Sequence, residues 1–99
     1  MLHTVNKSPF GNTTLAECLS VAKAGSAVLL IEDGVYAALK GSKVADSVTQ
    51  AMANVDILAL EPDVNTRGIQ GKLIDGVKLV DYPTFVELAT QHDRVQAWL

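Results

Sequence analysis

Two hydrophobic patterns take turns along this chain. Ala27-Val28-Leu29-Leu30-Ile31 is an uninterrupted apolar run, as expected of a central parallel strand buried on both faces, because a half-exposed strand would alternate apolar and polar residues. Leu2 to Val5, Ile57 to Leu60 and Val77 to Val80 read as further strands. Between them the apolar positions fall at helical spacing. Thr14 with Glu17 three residues on makes a capping box, which predicts a helix from there to about Ala24, ended by Gly25. Asp33-Gly34 turns the chain into a short helical stretch from Val35 to Leu39, broken by Gly41-Ser42. Val44, Val48, Ala51, Met52 and Val55 then form one apolar stripe opposite Lys43, Asp46, Thr49 and Gln50. Pro62 suits the first turn of a short helix that Gly68 stops, and Pro83 opens another whose Phe85, Val86, Leu88 and Ala89 should face the core. Between Gly71 and Gly76, Leu73 and Ile74 fit either a helical turn or an extra strand.

Strand and helix signals alternating with short connections predict an α/β fold, a Rossmann-like three-layer sandwich with a small, mostly parallel sheet of about four strands. With 99 residues, 48% of them hydrophobic, the chain has enough for one core and one domain spanning residues 1–99. Strand order is not legible. The 8 Lys plus Arg against 11 Asp plus Glu leave a net charge of -3, which disfavours direct nucleic-acid binding, since phosphate neutralisation needs a basic surface. No apolar run reaches the ~20 residues of a membrane span, and Met1-Leu2-His3-Thr4 lacks the basic start of a secretory signal. The expected location is the cytoplasm. The single cysteine, Cys18, has no internal disulfide partner, which suits a reducing compartment.

Ligands of open α/β sheets collect outside the carboxyl ends of the strands. Here those positions are Asn6-Lys7-Ser8, Glu32-Asp33-Gly34, Glu61-Pro62-Asp63 and Asp81-Tyr82. Carboxylates there can act as acids, bases or metal ligands, but helix starts also favour them, and capping is the preferred reading for Asp33, Glu61 and Asp81. Neither glycine-rich phosphate loop is present. His3, His92 and one cysteine lack metal-ligand spacing, so neither metal nor cofactor is expected. Cys18 is the distinctive group, because a thiolate can take up and pass on a sulfane sulfur. Its place beside Leu15, Val21 and Ala22 on the apolar stripe of the first helix favours a packed thiol instead. The ending Trp98-Leu99 calls for cover, either on this chain's own sheet or against a partner subunit.

Several stretches together resemble the DsrH/TusB family of sulfur-relay subunits. They are Leu2-His3-Thr4 with Ser8-Pro9, Leu29-Leu30-Ile31-Glu32-Asp33-Gly34-Val35, Asp63 with Arg67-Gly68, Asp81-Tyr82 with Phe85-Val86, and Gln96-Ala97-Trp98. In order and spacing they cover nearly the whole chain. The resemblance implies a Rossmann-like subunit that joins DsrE/TusD-like and DsrF/TusC-like subunits, two copies of each of the three, in a sulfurtransferase complex. That complex would relay persulfide sulfur to a DsrC/TusE-like carrier, toward 2-thiouridine at the tRNA wobble position or within dissimilatory sulfur oxidation. It places the principal sulfur-accepting cysteine on the DsrE/TusD-like partner. Cys18 matches a cysteine on the first helix of DsrH-type members, which leans toward the DsrH branch and makes Cys18 a candidate persulfide site.

Two other readings compete. In one, the chain is a non-catalytic assembly module that uses Trp98 and Leu99 as interface residues. In the other it is a stand-alone binder of a small ligand near Asp33 and Asp63.

Overall fold

Strand formation follows the apolar runs. In the computed structural model, which describes residues 1–99, the strands are β1 (Leu2–Val5), β2 (Ala27–Leu30), β3 (Asp56–Leu60), β4 (Lys78–Val80) and β5 (Val95–Trp98). Every pairing is parallel and the order is β4-β3-β2-β1-β5. The expected mostly parallel α/β sheet is therefore present, with a fifth strand beyond the expected four. The additional strand pairs Val95 to Trp98 with Leu2 to Val5.

Helices α1 (Thr14–Val21), α2 (Ala45–Ala51), α3 (Glu61–Thr66) and α4 (Tyr82–Gln91) connect the strands, with a 3₁₀ helix over Glu32–Ala38 before α2. The steps from β1 to β4 all move one position in the same direction, and α4 then carries the chain back across the sheet to β5. This order explains the layers. Residues of α1, the 3₁₀ helix, α2 and α3 share one core with Val5, Val28, Leu30, Ile57 and Ala59. On the opposite face Phe85, Leu88 and Ala89 of α4 pack against a second core of Leu2, Ala27, Leu29, Leu58, Leu60 and Val80. Neighbours along a strand go to opposite faces, so the unbroken apolar run of β2 feeds both cores. Each fully buried leucine contributes roughly 1.5–3 kcal/mol.

Local details depart from the sequence reading for identifiable reasons. Helix α1 ends at Val21, because Ala22 turns extended and its N–H closes on the Cys18 carbonyl. The Thr14 and Glu17 capping box does not form. Thr14 is already helical, and both its N–H and its hydroxyl turn to the Asn12 side chain. Val86, expected in the core, is 61% exposed. Leu73 forms an isolated antiparallel bridge to Leu39, so the ambiguous stretch between Gly71 and Gly76 becomes a single bridge.

Candidate functional site

Chemistry-bearing residues gather at the carboxyl edge of the sheet, on the first helix, and where β5 meets β1. At the carboxyl edge the close approach of Gly34 to β1 comes first. A Cβ on Gly34 would run into the Val5 carbonyl oxygen, so only glycine lets the turn after β2 pass the end of β1. Just before it, Glu32 is held in the left-handed region at φ 50°, which is unfavourable for a residue with a side chain. Its N–H donates to Asp63 Oδ2 at 2.7 Å, and that charge-assisted bond fixes the turn onto the start of α3. Arg67, one turn beyond Asp63, donates through Nε (3.1 Å) and Nη2 (2.9 Å) to Asp33 Oδ1 and through Nη1 (3.1 Å) to the Asp63 carbonyl. Its guanidinium also lies 5.9 Å from the centre of the Tyr36 ring, within reach of a cation–π contact.

This arrangement corrects part of the capping expectation. Asp81 does cap its helix, with Oδ1 accepting the Thr84 N–H at 2.8 Å, and that bond holds its carboxyl below the usual range. Asp33 pairs with Arg67, and Glu61 lies in the first turn of α3 with no side-chain cap bond there. The carboxylates of Asp33 and Asp63 are thus both occupied by protein donors, and none of the cavities is lined by either. A stand-alone small-ligand site at that edge has no cavity to use.

Cys18 has no exposed surface and belongs to the core formed by Leu15, Val28 and Val35. Burial pushes its thiol up to about 11, because a thiolate there would lose its hydration. The structure therefore places this candidate sulfur site inside the core, away from the carboxyl-edge groups.

The C-terminus docks on its own sheet. Trp98 pairs with Val5, is half-buried against the α1 side core, and donates from Nε1 to His3 Nδ1 at 3.1 Å. The two rings are 6.2 Å apart and tilted by 42°. Burial is the main cause lowering the His3 pKa, with a smaller effect from the amino-terminal charge. Both favour neutral imidazole, and the indole donor requires that tautomer to carry its proton on Nε2. Leu99, just past the strand, is 84% exposed. Sequence reasoning identified Trp98 but not its link to His3, nor the pairing of Asp33 with Arg67. These partners lie 95 and 34 residues apart, and no local pattern encodes them.

Residues 7–95 match the family described as DsrH like protein. Protein TusB of Escherichia coli K12 is 36% identical over 98 residues, covering 99% of this chain and 100% of that protein, and Protein TusB of Shigella flexneri is 35% identical over the same span. Among solved structures, the ychN protein from E. coli superposes with a TM-score of 0.84 at 23% identity, covering 97% of each chain. A protein of unknown function from Methanobacterium thermoautotrophicum gives 0.78 at 15% identity, covering 97% of this chain and 95% of the other. These two structures show the fold alone. The family match over most of the chain and the alignment to TusB from end to end show that the chain belongs to the DsrH family.

Proposed function

We propose that this chain is an accessory subunit of a heteromeric sulfur-relay complex serving tRNA wobble-uridine 2-thiolation, and that it contributes surface and scaffold while a partner carries the sulfur-accepting cysteine. The observation that carries this reading is the full-length match to TusB at 36% identity. The resemblance implies DsrE/TusD-like and DsrF/TusC-like partners, two copies of each subunit, and a DsrC/TusE-like carrier downstream. The full-length relatives are TusB proteins, which favours the tRNA destination over sulfur oxidation.

The state of Cys18 supports this division of labour. A thiol with a pKa of about 11 is almost entirely protonated at neutral pH, and it is the thiolate that attacks a persulfide. Sulfur loading of Cys18 would first require α1 to lift off the sheet. In the assembled complex Cys18 fills space, and Trp98 with Leu99 offers apolar surface at the end of the β5 edge.

The test is the 2-thiouridine content of tRNA from a host strain lacking this chain, measured by mass spectrometry. The nucleoside should fall to background and return when the gene for the Cys18→Ala variant is supplied. Unchanged 2-thiouridine in the deletion strain would refute the tRNA assignment. Failure of Cys18→Ala to restore it, while the variant still assembles, would place sulfur on Cys18.

A further inference from the structure

A cavity of ≈ 480 Å³ opens at the opposite, amino-terminal end of the strands, between the end of α1, the loop into β2 and the start of β5. That volume lies within the range of small-molecule sites. His3, Lys23, Ser26 and Gln96 supply its polar lining, and no carboxylate borders it in a chain of net charge -3. Two of these polar side chains are more than nine-tenths buried, His3 at 3% and Ser26 at 5% exposure. Trp98 takes up His3 Nδ1, so the Nε2–H is the free donor of that ring. Neither Nε2 nor the Ser26 hydroxyl has a protein partner, and neither is sealed from solvent. The cavity is the open space that both residues line. At its rim the backbone N–H groups of Lys23 and Ala24 make no bond within the protein. Gly25, at φ 88°, lets the loop fold back so that its own N–H reaches the Asn54 carbonyl at 2.9 Å.

We propose that this cavity binds a small oxyanion, the carboxylate or phosphate group of a metabolite, with His3 Nε2–H and the Ser26 hydroxyl as deep donors and the Lys23 ammonium as the charged partner at the rim. These donors line one cavity with no competing acid, and hydrogen bonds to a charged acceptor are the strong ones. Trp98 acts as a positioning residue here, since its indole occupies Nδ1 and leaves the ring proton on Nε2 of a residue that lines the cavity. The site is independent of the relay assignment, because none of the residues that line the cavity belongs to the carboxyl edge or to the Cys18 core.

The test is a titration of the ¹⁵N-labelled full chain at neutral pH and fixed ionic strength, first with inorganic phosphate and then with acetate, followed by NMR at the Gly25 and Ser26 amides and the His3 ring. Saturable shifts with phosphate, acetate or both support the site, and the preferred probe identifies the oxyanion class. Lys23→Ala, at an exposed position, should keep the spectrum of a folded chain and weaken binding about tenfold. Lys72→Ala, outside the cavity, should bind like the wild type. Shifts that grow linearly without saturating for both probes, or equal binding by Lys23→Ala and wild type, would overturn the proposal.

Discussion

At the level of single residues, space and solvation decide what the side chains do. Cys18 was readable as a core thiol from its place on the α1 stripe, and the structure gives that position no exposed surface. Its folded pKa of about 11 lies above the ordinary 9.0, so the unfolded chain loses the thiol proton first as pH rises. Stability from this group is complete below pH 9.0 and declines as pH climbs toward 11. Urea midpoints measured across that window should fall for the wild type and fall less steeply for Cys18→Ala; parallel curves would show that the thiol is hydrated in the native state. Gly34 is a purely steric requirement, because a Cβ would meet the Val5 carbonyl. Gly34→Ala should destabilise the fold by about 3 kcal/mol, whereas Gly11→Ala, where a Cβ meets nothing, should be close to neutral in the same denaturation assay. The role of Gly34 could not be read from sequence, where Asp33-Gly34 looked only like a turn signal. Its constraint comes from the end of a strand 29 positions earlier.

The strands and helices were mostly legible, and the exceptions follow from what local patterning can report. β2 combines apolar content with burial on both faces, so its sequence signal was strong. β5 has neither advantage: Val95, Gln96 and Ala97 are exposed, and its hydrogen bonds go to β1 at the other end of the chain. Only Trp98 marked the segment as needing cover. That residue ties β5 to β1 through His3, and the bond requires an unprotonated Nδ1. The folded pKa of His3 is lowered from 6.5, so as pH falls the unfolded chain takes up the proton first. Stability is full above pH 6.5 and declines below it, levelling off once the folded imidazole also protonates. Trp98→Phe removes the donor and should cost about 1 kcal/mol at neutral pH in urea denaturation followed by circular dichroism, with the acid decline retained because burial is its main cause. Stability equal to wild type at neutral pH would show that the indole bond to His3 contributes nothing. The same dependence on β5 means that removing residues 95–99 would strip a strand from the sheet, so truncation tests folding and association together. Asp81 offers a simpler local check: Asp81→Ala should lower the urea midpoint through the lost N-cap.

For the whole molecule, the order β4-β3-β2-β1-β5 follows from one return crossing by α4, which alone covers its face of the sheet. The carboxyl edge is held by Asp63, Arg67 and Asp33, whose bonds join the segments after β2 and β3. None of the cavities is lined by Asp33 or Asp63, so these carboxylates hold the two segments together rather than facing open space. Association through the β5 end is best probed with Leu99→Asp, since Leu99 is 84% exposed and lies outside the strand. The substitution should leave the unfolding free energy in urea within about 0.5 kcal/mol of wild type and weaken co-purification of the partner subunits; unchanged recovery would remove Leu99 from the interface. Whether this chain joins a relay complex without carrying its sulfur is read by native mass spectrometry of the tagged chain purified from its own host under non-reducing conditions. The expected result is a complex with two related subunits in which any added sulfur mass resides on a partner and Cys18 is unmodified. A lone monomer or homo-oligomer, or sulfur carried on Cys18 itself, would contradict it.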